Sequence, residues 1–162
     1  MTASASSFEL KASATQWFVI NDGVMGGVSS SSARIVNGVL EFSGRVSLDN
    51  NGGFASVRSS AGAYNLIAAS SLTLRVRGDG KRYAFQLGSS SVRGVLYRAE
   101  FETKANQWLE VKLPMTAFKP TRFGQVLSGY PLEQGKIEHF GFIIANKRNE
   151  SFKLELDWIR AL

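Results

Sequence analysis

Residues 71–87 read SLTLRVRGDGKRYAFQL, and the alternation within this stretch decides the fold class. Leu72, Leu74 and Val76 fall on one side of a period-two pattern, with Thr73, Arg75 and Arg77 on the other. Beyond Gly78-Asp79-Gly80 the pattern resumes: Tyr83, Phe85 and Leu87 share one face, and Arg82, Ala84 and Gln86 the opposite one. Period two is the signature of a strand, because successive side chains point to opposite faces. Glycine admits positive φ, so Gly78-Asp79-Gly80 predicts a tight hairpin turn between two strands, with Asp79 bonding its own backbone. That turn chemistry accounts for RGDG (Arg77–Gly80) without invoking cell adhesion.

The same alternation extends in both directions. Upstream, ARIVNGVLEFSG predicts a hairpin turning at Asn37-Gly38, and GFASVRS adds a strand after Asn50-Asn51-Gly52-Gly53. Downstream come GVLYRAEFET, WLEVKLPM, HFGFIIAN and FKLELDWIRAL. Helical pattern is confined to single turns in GAYNLIAASS and PMTAFKPT. Many short strands without interleaved helices predict an all-β sandwich. At 162 residues the chain is expected to form one domain, 1–162.

Composition removes much chemistry. With no cysteine there is no disulfide, thiolate metal site, iron–sulfur cluster or cysteine nucleophile. One histidine, His139, excludes a multi-histidine metal centre. It lies on the opposite strand face from Phe140 and Phe142, and no G-x-S-x-G elbow accompanies it. Glu100 and Glu102 share a strand face, as a glycosidase pair would, but Arg98 shares it too and predicts ordinary charge pairing. No phosphate-binding glycine motif occurs. The expectation is a non-enzyme without cofactor or metal. No apolar run approaches the ~20 residues of a membrane span. The start, MTASASSFELKAS, has neither the basic and apolar regions of a secretory signal nor the arginines of a transit peptide, so a cytoplasmic protein is expected.

The most distinctive segment is QWFVINDGVMGGVSSSS (Gln16–Ser32), an apolar strand followed by a turn former and paired glycines. NDGVMGGVSSS (Asn21–Ser31), FSGRVSLDNNGGFASVR (Phe42–Arg58), LRVRGDGKRYAFQL (Leu74–Leu87), the W-x-x-V-x-L-P pattern (Trp108–Pro114) and FKLELDWI (Phe152–Ile159) follow in order. Together they resemble the complex I intermediate-associated protein 30 family over roughly Phe8 to Ile159. The resemblance implies a galactose-binding-like jelly-roll sandwich, and the role of an assembly factor or chaperone for a larger protein complex. It also marks a motif loop of Asn21, Asp22, Met25, Gly26, Gly27 and Ser29, expected to form one fixed end of the sandwich.

For the binding surface, strand phase places Arg75, Arg77, Arg82, Gln86, Arg98, Glu100, Glu110 and Lys112 outward, with Trp108 in register. If neighbouring strands align these positions, Arg75, Arg77, Arg82, Arg98 and Trp108 make one arginine-rich patch, which Asp79 extends. Tyr83 and Tyr97 have the core phase. A protein is the first expected partner; a carbohydrate or small ligand is the alternative, whose sign would be several exposed aromatics on one concave face. Nucleic acid comes third, suggested by the net charge of +6 alone.

Overall fold

The computed structural model describes residues 8–21, 29–49, 53–122 and 125–161. Among these residues, thirteen strands are distributed over two sheets. They are β1 (Phe8–Lys11), β2 (Trp17–Asn21), β3 (Ser30–Val36), β4 (Val39–Val46), β5 (Ala55–Ser59), β6 (Ser71–Arg77) and β7 (Arg82–Ser89). Then follow β8 (Leu96–Glu102), β9 (Trp108–Pro114), β10 (Lys119–Arg122), β11 (Gln125–Val126), β12 (Ile137–Ile144) and β13 (Glu150–Ala161). A six-stranded sheet runs β3-β4-β13-β6-β9, with β1 also paired to β13; a seven-stranded sheet runs β11-β10-β8-β7-β12-β5-β2. All strand pairs are antiparallel, and the architecture is the jelly-roll sandwich expected from sequence.

Each inner face is the apolar half of the alternation. Leu40, Phe42, Leu72, Leu74, Val76, Leu154 and Leu156 of one sheet meet Tyr83, Phe85, Leu87, Tyr97, Phe140 and Phe142 of the other, all essentially inaccessible. Phe85 anchors the contact, with its ring centroid 5.1 Å from that of Phe142 and 5.9 Å from that of Phe140. Fully burying one such side chain is worth roughly 1.5–3 kcal/mol.

Asn37-Gly38 forms its expected hairpin between β3 and β4, both residues at positive φ (52° and 81°), as a two-residue primed turn requires. Asn tolerates that conformation, and Gly adopts it without steric cost. The single turn expected in GAYNLIAASS is present, closed by Ala69 N–H to the Leu66 carbonyl, and Met115–Ala117 is one turn of 3-10 helix.

Two expectations change. Gly78-Asp79-Gly80 is not a hairpin: β6 pairs with β13 and β9, whereas β7 pairs with β12 and β8, so the segment crosses from one sheet to the other. Asp79 drives that crossing by bonding Lys153 N–H of the six-stranded sheet and Tyr83 O–H of the seven-stranded one. Alternation also breaks in β13, where the register shifts between Leu156 and Trp158. The bulge returns Ile159 and Ala161 to the core and turns Trp158 onto the outer face, opposite Arg75. Among the described residues, no helix is long and apolar enough to cross a membrane.

Candidate functional site

A sandwich has two outer faces, and the arginines singled out in the sequence divide between them. Arg75, Arg77 and Trp108 stand on the six-stranded sheet; Arg82 and Arg98 stand on the seven-stranded one. The single patch expected from strand phase is therefore two surfaces facing opposite ways. Phase fixes which side of a strand a residue occupies, but strand order across the fold decides which strands share a sheet.

On the six-stranded face Arg75, Arg77 and Arg160 are already matched by carboxylates. Arg77 makes a fork with Glu155, Nε to Oε1 at 2.8 Å and Nη2 to Oε2 at 3.0 Å. That hydrogen bonding raises the Arg77 pKa further above its ordinary value. Arg75 reaches Asp157 at 3.3 Å and Glu110 at 3.8 Å. Both guanidinium carbons lie about 5 Å from the Trp108 ring, at 5.0 and 5.1 Å. Arg160, bonded to Glu9 at 3.0 Å, covers Trp158 at 3.7 Å. Cation–π contact and ion pairing together make this face a laced exterior.

The seven-stranded face is different. Register aligns Lys119 (β10), Arg98 (β8), Gln86 (β7), Gly141 (β12), Arg58 (β5) and Phe18 (β2) in one row across the sheet. At one margin Arg82 is paired with Glu100 at 3.7 Å and Glu102 at 3.2 Å. Inside the row, Arg98 directs Nε and Nη2 onto Gln86 Oε1 at 3.3 and 3.1 Å, a neutral acceptor. Burial lowers the Arg98 pKa against the attraction of Glu100, and lowers that of Arg58 against Glu138. Glu138 itself pairs with Arg93 at 3.5 Å. Among the described residues Arg58 makes no hydrogen bond or ion pair. Phe18 closes the row, half exposed at 52%.

Next to Arg58 stands His139, opposite Gly88, where the imidazole occupies the space a Cβ would take. Among the described residues its Nδ1 is buried without a hydrogen-bond partner. Burial, with the nearby Arg58 charge, pushes its pKa down to about 4 from 6.5, so the ring is neutral at pH 7. A pH dependence follows. Below pH 6.5 the unfolded chain takes up this proton and the folded chain does not, so stability falls from about pH 6.5 to about pH 4 and then levels. Because the ring is partly exposed, the loss is discounted for solvent screening to about 1–2 kcal/mol. Urea midpoints at pH 7 and 4.5 should show the parent chain losing about 1 kcal/mol more than His139→Gln. Equal losses would mean that the imidazole is not held neutral.

The remaining sequence candidates fall elsewhere. Asp79 is the link between sheets and lies beneath neither face. Asn21 ends β2 opposite Ala55. Ser29 Oγ accepts from Ser47 N–H at 2.9 Å and donates to Ser47 O at 3.3 Å, tying the start of β3 to the end of β4. Asp22, Met25, Gly26 and Gly27 lie outside the described residues. Phe18, Arg58 and the proximity of His139 were missed from sequence. Alternation within GFASVRS gives Arg58 its outward phase, but nothing local shows that it stands beside Gly141 and His139.

Similar proteins agree with this architecture. No curated protein sequence matches the chain significantly. Among solved structures, the family 11 carbohydrate-binding module of cellulosomal cellulase Lic26A-Cel5E from Clostridium thermocellum superimposes with a TM-score of 0.74 at 17% identity. That match covers 99% of this chain and 96% of the module. A Clostridium thermocellum family 11 module in complex with a β-1,3-1,4-mixed-linked tetrasaccharide gives 0.69 at 18% identity, over 90% and 88% of the two chains. A low-affinity xylan-binding module of Roseburia intestinalis gives 0.51 at 10% identity, over 91% and 95%. At identities this low the superpositions establish the shared sandwich fold alone. A family model matches residues 6–156, nearly the full length, and the chain belongs to the complex I intermediate-associated protein 30 family.

Proposed function

We propose that the chain is a non-catalytic binding module acting as an assembly factor, holding a protein partner while a larger complex forms. The observation that carries this is the family match across residues 6–156. The site chemistry supports binding over catalysis. Among the described residues no group of three or more His, Cys, Asp or Glu converges to hold a metal. Glu100 and Glu102, the carboxylate pair that shares a strand face as a glycosidase pair would, are both engaged by Arg82.

Carbohydrate binding is the alternative that the solved structures bring to mind. A sugar platform presents several flat aromatic faces, and among the described residues Phe18 is the single aromatic more than half exposed. Trp158 is buried under Arg160, and Trp108 is flanked by two guanidinium groups. A protein partner fits this surface better.

Native gel fractionation of cells carrying a tagged chain tests the proposal. The chain should migrate with an incompletely assembled complex, and its deletion should leave the subassemblies of that complex to accumulate. Migration as a 17.7 kDa monomer with unaltered complexes after deletion would overturn it.

A further inference from the structure

We propose that the outer face of the seven-stranded sheet is an acidic-peptide site, in which Arg58 and Arg98 receive two carboxylates of an extended segment of the partner protein. This rests on the assembly reading above and names the surface and chemistry it uses. The groups on the face divide cleanly by charge. Its acids are already engaged: Glu100 and Glu102 by Arg82, and Glu138, beside the row, by Arg93. Among the described residues of the row, Arg58, Arg98 and Lys119 have no carboxylate in contact, and of these Arg58 and Arg98 are half-buried whereas Lys119 is exposed. A guanidinium taken partly out of water is costly unless paired, so the free chain carries a deficit that an anionic ligand would offset. The six-stranded face offers a contrast within the same molecule: Arg75, Arg77 and Arg160 each have their own carboxylate, and Arg45, which has none among the described residues, is exposed to solvent.

Geometry favours an extended peptide. β8, β7, β12 and β5 are successive neighbours, so Arg98 and Arg58 are three ladder steps apart, about 14 Å at the usual strand spacing. In an extended chain, carboxylates four residues apart are separated by about 13 Å. Gly141, which has no side chain, stands between Gln86 and Arg58 and leaves the row low at its centre. Phe18 supplies an apolar margin at one end and Lys119 a further cation at the other. Guanidinium is suited to this task because its planar fork takes a carboxylate through two parallel hydrogen bonds.

A fluorescent decapeptide of Ser and Thr with glutamates at positions 3 and 7 tests the site, beside the same peptide with both glutamates changed to glutamine. A neutral mixed-linkage β-glucan tetrasaccharide is the third probe. The parent chain should bind the glutamate peptide saturably, and the glutamine peptide about tenfold or more weakly. Arg58→Gln/Arg98→Gln should lose about tenfold or more, Arg58→Lys should lose part of the affinity, and Arg75→Gln/Arg77→Gln should bind as the parent does. The single imidazole gives one readily assigned proton signal, which should shift on titration with the same Kd; this readout needs no variant to fold. Peptide affinity indifferent to Arg58 and Arg98, no peptide binding, or binding of the tetrasaccharide alone would each overturn the proposal. Co-migration with a partner complex that persists in Arg58→Gln/Arg98→Gln would sink the acidic-peptide site while leaving the assembly reading standing.

Discussion

Asp79→Ala should remove about 3 kcal/mol of folding stability, although Asp79 is a single, partly exposed carboxylate in a surface turn. Its two oxygens serve both sheets. Oδ1 accepts from Tyr83 O–H at 2.9 Å and from Lys81 N–H at 3.3 Å; Oδ2 accepts from Lys153 N–H at 2.9 Å. Tyr83 is only 1% exposed, so truncation strands a buried hydroxyl without an acceptor, which costs more than the bond itself contributed. Burial, assisted by Asp79, raises the phenol pKa far above its ordinary value, so this hydroxyl is a donor at every working pH. The ion pair with Lys81, at 3.5 Å, adds little. At ~2–4 °C per kcal/mol for a chain of this size, Tm should fall by about 6–12 °C. Tyr83→Phe alone should cost about 1 kcal/mol, and the double variant less than the sum, because both substitutions break one bond. An Asp79→Ala protein melting within about 2 °C of the parent would mean that the link between sheets is idle.

The second large effect belongs to the neighbouring glycine. Gly78→Ala should cost about 2–3 kcal/mol, as overpacking of a fixed contact does. A Cβ at this position would lie 2.4 Å from Thr103 Cβ and 2.5 Å from both Cγ2 and Oγ1. Thr103 cannot turn away without loss. Its Oγ1 donates to the Lys81 carbonyl at 2.8 Å and accepts from Gly80 N–H at 3.0 Å, and the residue is 7% exposed. Gly80→Ala is the control. Gly80 has φ +88°, but its Cβ would meet nothing closer than 3.8 Å, so only the conformational penalty of about 1 kcal/mol applies. Urea unfolding of the two variants gives the order directly. If Gly80→Ala proved the more damaging, the close approach of Thr103 would not be what makes Gly78 necessary.

These two positions also mark where sequence stops being a sufficient guide. Period-two alternation in SLTLRVR and RYAFQL identified the strands and their inner faces, because burial of one face is a local constraint that each residue either satisfies or violates. Asn37-Gly38 was legible for the same reason: two residues at positive φ define the turn by themselves. Gly78-Asp79-Gly80 was not. Its composition suits a hairpin and a sheet-to-sheet crossing equally, and the choice is made by Lys153, 74 residues away in sequence. Phe8–Lys11 is too short to display a pattern, and forms a strand because the end of β13 offers it a free edge.

The binding surface divides in the same way. The outward phase of Arg75, Arg77, Arg82 and Arg98 was readable, but their separation onto two faces follows from strand order alone. The bulge beside Asp157, which carries Trp158 outward to meet Arg160, interrupts an otherwise uniform alternation and has no local signal. The row from Lys119 to Phe18 gathers residues from six strands spread over more than 120 positions, so no single stretch of sequence contains it.

Cross-linking mass spectrometry in the native cell tests the central claim, that this is a protein-binding module working through its seven-stranded face. Lysines lie on both exteriors: Lys119 borders the seven-stranded row, and Lys112 and Lys153 stand on the six-stranded sheet. Expected are cross-links from Lys119 to a protein partner, absent from Lys112 and Lys153 and lost in Arg58→Gln/Arg98→Gln. Cross-links concentrated on Lys112 and Lys153, or no protein partner at any of the three, would contradict it.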